Sequence, residues 1–261
     1  MTDWDPRRPA DDTIVRQAYL ATASWPVEIA KRAGRPWHDG EQWAGAWLGD
    51  HGTLTNPIVL VRPLEEPAKL IEELDRFFPA GVPFVVVSPW PTTDLAPFGL
   101  SLLGHFPLMA RFPAPEREGR QTGVIVREVT GTDQLLAAER LFATAYPEPD
   151  LLPTLHDADS RTTVMKEPLR VWLAYLDDEP VAVAAAHIAA GVQLVLDVAT
   201  LPEARGHGAG TAVSWAATRG EPDMPAVLGA SDAGRPIYEG MGYLAITRWA
   251  SWLRPGSPSG V

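Results

Sequence analysis

The chain has 261 residues, 46% of them hydrophobic and 21% charged, and a formal net charge of -11. This length and composition allow one large domain or two smaller ones to bury an apolar core without disulfides or metals. The absence of cysteine excludes disulfides, thiolate metal sites and a cysteine nucleophile, and the negative charge opposes binding to nucleic acid or to an anionic membrane.

The two ends of the chain and one internal segment indicate the domain organisation. The first residues lack the basic and apolar stretches of a secretory signal, and no apolar run is long enough to span a bilayer, which predicts a cytoplasmic location. We expect residues 1–12 to be disordered and residues 255–261 to form a flexible tail. Residues 113–122, rich in proline and charge, predict a linker between an N-terminal α/β lobe (13–112) and a second domain (123–254).

The N-terminal half contains one clear strand, helix, strand unit. Residues 58–61 and 84–87 are β-branched runs, and residues 68–78 between them carry apolar side chains at helical spacing. Three tryptophans precede this unit: Trp37, Trp43 and Trp47. Trp43 and Trp47 are four residues apart, which favours a packed helical face over an aromatic cage for a ligand.

The C-terminal half predicts strands that first meander and are then separated by helices. Strands are expected at 124–129, 171–176, 181–188, 192–200, 226–229 and 243–253, and helices at 132–146, 209–219 and 233–241. This order is typical of an α+β fold.

A glycine-rich turn lies between the strand at 192–200 and the helix that follows it. There, unpaired backbone N–H groups and the positive end of the helix dipole would converge on one point that favours phosphate. Glycines at 206, 208 and 210 leave the backbone open to a ligand, and Arg205 can add a charged contact. The dinucleotide-binding spacing and the P-loop Lys-Ser or Lys-Thr pair are absent. The alternating glycines alone also fit a merely flexible turn.

The surrounding sequence resembles the acyl-CoA motif of the GNAT superfamily of N-acyltransferases. That motif is Arg or Gln, two residues, Gly, one residue, then Gly or Ala, and Arg205, Gly208 and Gly210 fill it. Downstream, residues 231–243 look like the family's late helix with its Leu-Tyr-Glu-x-x-Gly-Phe ending, although Ser231 stands where many members have Asn. The resemblance implies an α+β, GNAT-type fold: a mixed, mostly antiparallel central sheet flanked by helices, preceded here by a second α/β lobe.

The resemblance also implies acetyl-CoA, or another acyl-CoA, as cosubstrate. The strand before the turn would pair with the pantetheine arm, and the turn itself would meet the pyrophosphate. The implied cofactor-binding residues are Val198, Thr200, Arg205, Gly206, His207, Gly208, Ala209, Gly210, Thr211 and Ser231.

Two residues are candidates for catalysis. Tyr238 matches the family's proton donor to the leaving thiolate, and its alternative role is a packed helix tyrosine. Asp197 is the candidate base, although a one-residue change of register would turn it away from the site. Glu139 on the first helix of this half is a weaker candidate, since it can equally be a solvated helix residue.

The leading hypothesis is an N-acetyltransferase that acts on a primary amine of a small cationic or neutral molecule by direct attack in a ternary complex. Acids of one loop could attract a cationic acceptor, or be ordinary loop residues: Glu148, Asp150, Asp157 and Asp159. The alternatives are a catalytically silent acyl-CoA-binding regulatory module and a protein N-terminal or lysine acetyltransferase. We expect no nucleic-acid or membrane partner, and a homodimer is compatible with the sequence.

Other site chemistries find little support. The six histidines include no pair at the spacing of metal ligands, so no metal site is implied. A Gly-x-Ser-x-Gly nucleophile turn is absent. Residues 99–109 faintly echo the family's final helix and strand, which suggests a degenerate GNAT-like lobe without a glycine turn of its own.

Overall fold

The computed structural model describes residues 13–48, 56–114, 123–145 and 169–256. Most of the predicted linker and all four loop acids lie outside these ranges. The chain divides into two compact units, Met1–Leu108 with Ile246–Val261, and Met109–Ala245. The last strand therefore groups mainly with the first unit, whereas the sequence interpretation kept residues 123–254 together.

The elements follow the chain in this order. The helices are α1 (Ile14–Ala33), α2 (Pro67–Phe77), α3 (Thr132–Ala145), α4 (Ala209–Thr218) and α5 (Arg235–Gly240). The strands are β1 (Trp37–Asp39), β2 (Trp43–Ala46), β3 (Pro57–Leu60), β4 (Phe84–Ser88), β5 (Ser101–Arg111), β6 (Ile125–Glu128), β7 (Leu169–Leu176), β8 (Glu179–Ala189), β9 (Val192–Thr200), β10 (Ala226–Gly229) and β11 (Leu244–Arg254).

In the second unit the strand order is β10-β9-β8-β7-β6. The β9/β10 pair is parallel and the other pairs are antiparallel. Because neighbouring side chains of a strand face opposite sides, Ala182, Ala184 and Ala186 pack in the cluster that includes α4. Val183 and Ala185 pack with α3 instead. This confirms the predicted mixed, mostly antiparallel sheet flanked by helices.

In the first unit the strand order is β1-β2-β3-β4-β11, with β3 and β4 parallel. The predicted strand, helix, strand unit is confirmed as β3, α2 and β4. The predicted helical face of Trp43 and Trp47 is wrong, because Trp43 lies on β2 of an antiparallel hairpin. Its ring stacks on His38 of β1 at 3.9 Å between centroids, and its indole N–H donates to Glu73 over 3.1 Å. Contacts with the hairpin partner β1 and with α2 therefore explain the burial of this tryptophan.

The two units repeat one order of elements. A helix, two strands in a hairpin, a third strand, a helix and a parallel strand occur as α1-β1-β2-β3-α2-β4 and again as α3-β7-β8-β9-α4-β10. The echo at residues 99–109 corresponds to β5, preceded only by the 3-10 turn Ala96–Phe98. This repetition supports the interpretation of the N-terminal half as a second GNAT-like lobe.

Candidate active site

The site is organised by an irregularity in β9. Ala185 of β8 lies opposite Leu196, and Val183 lies opposite Ala199, so two residues of β9 face one residue of β8. The extra residue makes a β-bulge, in which Asp197 adopts a φ of 53°. A positive φ is unfavourable for a residue with a Cβ. The bulge, which the sequence could not reveal, therefore sets the direction of Asp197.

Asp197 is an exposed residue whose carboxyl group is nonetheless perturbed by the protein around it. Its side chain is exposed, while desolvation by the surrounding protein raises the pKa of its carboxyl group to about 6. Above that pH it is an ionised carboxylate with the basicity that proton transfer near neutrality requires. Glu139, the weaker candidate, is half-buried on α3, on the sheet face opposite α4.

Beyond the bulge, one side of the β9 backbone turns away from β8. Leu201 N donates to the carbonyl of Val181 over 3.0 Å, and alternation along an antiparallel pair therefore points the N–H and C=O of Thr200 to the opposite side. The pairs between β9 and β10 on that side end at Leu194 and Val227. Val198 lies two residues before Thr200 on β9, so its side chain is on the same face of the strand. The two strands thus separate where the resemblance places the pantetheine arm.

The glycine turn then leads into α4. Gly206 and Gly208 have φ values of 81° and 86°, a region open to glycine at little steric cost. Among the described residues, no hydrogen bond involves the backbone N–H groups of residues 206–211. We call these six amides the cradle.

Side chains around the cradle hold it against β9. Arg205 Nε donates to the carbonyl of Thr200 over 3.3 Å, and Nδ1 of His207 lies 3.1 Å from the carbonyl oxygen of Arg205. A Cβ added at Gly210 would lie 2.7 Å from Thr200 Oγ1. Thr211 is exposed at the first turn of α4, and Ala209 is buried. The structure therefore brings the predicted residues of the strand and the turn together.

The second group of predicted residues surrounds α5. Ser231 Oγ accepts from the N–H of Gly234 over 3.0 Å, so its hydroxyl caps the turn before the helix. Tyr238 is buried, with 9% of its surface exposed, and belongs to the same apolar cluster as Ala204 and Ala209 beside the cradle. Its ring meets that of Tyr243 edge to face at 5.8 Å between centroids. Sequence reasoning did not single out Tyr243.

Two further observations concern the described ranges alone. They contain no group of three or more His, Asp or Glu side chains placed to hold a metal ion. None of their helices combines the length and apolarity needed to cross a membrane.

Part of the chain is similar to known acetyltransferase domains. Residues 114–220 match the family model described as Acetyltransferase (GNAT) domain, a range that includes the cradle. A GCN5-related N-acetyltransferase from Kribbella flavida is similar with a TM-score of 0.62 and 22% identity, covering 95% of this chain and 98% of that chain.

Two more solved structures share the fold. A GCN5-related N-acetyltransferase from Sphaerobacter thermophilus has a TM-score of 0.52 and 14% identity, covering 98% of this chain and 96% of that one. A tandem GNAT protein from the clavulanic acid biosynthesis pathway has a TM-score of 0.50 and 14% identity, covering 84% and 79%. Comparison with curated proteins finds no match.

Proposed function

Residues 114–220 match a GNAT acetyltransferase domain, and from this we propose that the protein transfers an acetyl group from acetyl-CoA to a primary amine. The acceptor is a small cationic or neutral molecule, as expected for an acidic protein with a net charge of -11. Transfer proceeds by direct attack within a ternary complex. The cytoplasmic location remains a prediction.

The observation that carries the proposal is the cradle. Six consecutive amides, none of them hydrogen-bonded to another described residue, stand at the positive end of the α4 dipole, beside the side chain of Arg205. Such an arrangement favours a diphosphate. The pairing of β9 with β10 ends at Leu194, and we propose that an extended arm pairs with β9 further along, at Thr200. The proposal therefore assigns both the diphosphate and the pantetheine arm of acetyl-CoA to this unit.

The residues divide the chemistry between them. Acetyl-CoA supplies a thioester carbon that the neutral amine attacks. Asp197, ionised above a pKa of about 6, accepts the proton that the amine nitrogen loses, directly or through water. Tyr238 donates a proton to the sulfur as the carbon–sulfur bond breaks. The products are an amide and CoA thiol, and the protons balance once Asp197 releases its proton to solvent and Tyr238 regains one.

Calorimetric titration with acetyl-CoA tests the binding half of the proposal. Arg205→Gln should weaken binding by about 10-fold to 150-fold, the effect of losing a hydrogen bond to a charged group. Arg127→Gln removes the same charge from an exposed position on β6, at the other edge of the strand order, and should bind as the wild type does. Equal affinity for all three proteins would contradict a diphosphate on the cradle.

The catalytic half needs a separate measurement. Tyr238→Phe should keep acetyl-CoA binding and lose most thiol release in a screen of small amines. If the wild type binds acetyl-CoA but releases no thiol with any amine, the silent acyl-CoA-binding module is favoured. A response to peptides but to no small amine would favour protein acetylation.

A further inference from the structure

A series of buried hydroxyl groups runs along α4 in the second unit. Tyr243 Oη lies 2.7 Å from Thr218 Oγ1, which itself donates to the carbonyl of Ser214 over 2.7 Å. Ser214 Oγ donates to the carbonyl of Gly210 over 2.7 Å. Because Thr218 has one O–H, and gives it to Ser214, Tyr243 must be the donor in its pair. Hydrogen bonds therefore connect Tyr243 along the helix to the cradle.

Tyr243 is also joined to α5. Its backbone N–H donates to the carbonyl of Tyr238 over 2.9 Å, and the two rings are in edge-to-face contact. Gly242 makes the turn between them with a φ of 89°. Arg111 Nε donates to the carbonyl of Met241 over 3.1 Å and holds the same turn. One residue therefore links the helix that carries the proposed proton donor to the helix that begins at the cradle.

The hydroxyl group of Tyr243 is a departure from the family's pattern, which ends in Gly-Phe where this chain has Gly242-Tyr243. Tyr243 is 2% exposed and Thr218 is 3% exposed. Burial raises the pKa of Tyr243 far above its usual range, so it remains a donor throughout the working pH range. A buried hydroxyl is tolerated because it has a partner. Phenylalanine would fill the space without forming the link.

We propose, on the basis of the function proposed above, that the Tyr243 hydroxyl positions Tyr238 relative to the cradle through its hydrogen bond to Thr218. One ligand has to be held at two points, with its diphosphate on α4 and its sulfur near Tyr238. A displacement of about 1 Å at the reacting atoms can cost on the order of 100-fold in rate. The link fixes the position of α5 relative to α4. It therefore sets the distance between the cradle and Tyr238.

Free CoA, bound to the intact protein, is the probe that tests this role without an acceptor. The ultraviolet absorbance of the bound thiolate is followed against pH for the wild type, Tyr238→Phe, Tyr243→Phe and the double variant. Loss of the Tyr238 donor should reduce the ratio of thiolate to thiol by about 2-fold to 12-fold, the effect of one hydrogen bond. Tyr243→Phe should reduce it in the same direction by less, and should add nothing when Tyr238 is already Phe. CoA affinity should stay within about 2-fold, because the cradle is unchanged.

Thr218 provides a matched pair of variants that reach the same bond from the other side. Thr218→Val should reproduce the effect of Tyr243→Phe, and Thr218→Ser, which keeps the hydroxyl, should behave as the wild type does. If Tyr243→Phe does not fold, the Thr218 pair carries the test.

Two outcomes would overturn the role of Tyr243. The first is a thiol titration that Tyr238→Phe changes and Tyr243→Phe does not. The second is an effect of Tyr243→Phe that is equally large with and without Tyr238. Failure of the proposed function itself looks different, because the wild type would then bind no CoA, or Tyr238→Phe would leave the thiol unchanged.

Discussion

Replacement of Gly206 by alanine tests whether the backbone shape of the cradle is what binds the diphosphate. Gly206 has a φ of 81°, and an added Cβ would meet no atom of the protein within 4 Å. The cost of the change is therefore the backbone strain of an L-residue in the left-handed region, about 1–2 kcal/mol. If the turn relaxes without ligand and must return to bind it, the dissociation constant for acetyl-CoA should rise about 5-fold to 30-fold.

Gly34 offers a control with the same local geometry. It ends α1 with a φ of 62°, and its added Cβ would also meet nothing within 4 Å. Gly34→Ala should lower the free energy of unfolding by about 1–2 kcal/mol and leave acetyl-CoA affinity unchanged. The dissociation constant of Gly206→Asn for acetyl-CoA should lie between those of the wild type and Gly206→Ala, because asparagine adopts a positive φ more readily than alanine. Calorimetric titration and urea denaturation of all four proteins give both quantities.

Two results would refute this reasoning. Wild-type affinity in Gly206→Ala would show that the turn does not bind the ligand in the observed shape. Equal weakening by Gly34→Ala would show that affinity follows overall stability.

Three further predictions concern the base, the stability and the stoichiometry. Activity should rise with pH through about 6 as Asp197 ionises, and Asp197→Asn should remove that limb of the profile; an unchanged limb would assign it to another group. Arg170 forms two hydrogen bonds to Glu128, at 2.8 and 2.7 Å, and lowers the pKa of that carboxyl. Arg170→Met should cost about 1–2 kcal/mol at pH 7; since a lowered carboxyl pKa stabilises only where the carboxyl is ionised, urea denaturation should show a smaller loss as the pH falls through that pKa, and a pH-independent loss would contradict it. Calorimetry should give one acetyl-CoA per chain, and a value of two would show that the first unit also binds the ligand.

The sequence predicted the second unit well because its strands alternate between two buried faces and end at recognisable turns. The expected strands at 192–200 and 226–229 coincide with β9 and β10. The bulge at Asp197 was not predictable, because it depends on how two strands pair and not on the residues of one strand.

Helix α1 was absent from the sequence prediction, although its ends carry ordinary signals. Thr13 accepts from the N–H of Arg16 at its start, and Gly34 closes its end. Pro26 within the helix removes a backbone donor and argues against helix. The helix forms nonetheless because it buries a face of small side chains, including Ala18 and Ala21. Tertiary packing, which is invisible in one sequence, decided this element.

The two units show how far fold alone determines chemistry. In the first unit, the turn between β3 and α2 contains Pro63, which lacks an N–H group, and Glu65 and Glu66, which add negative charge; Pro67, the first residue of α2, also lacks an N–H group. Gln42 Nε2 lies near the carbonyls of that turn, at 3.3 Å from the oxygen of Pro63. Two carboxylates at this turn would repel a diphosphate. The N-terminus of α2, where the helix dipole is positive, also has one N–H donor fewer because its first residue is proline. We therefore expect an anion site only at the turn that carries glycines and amides without a partner among the described residues, and so a single acetyl-CoA per chain.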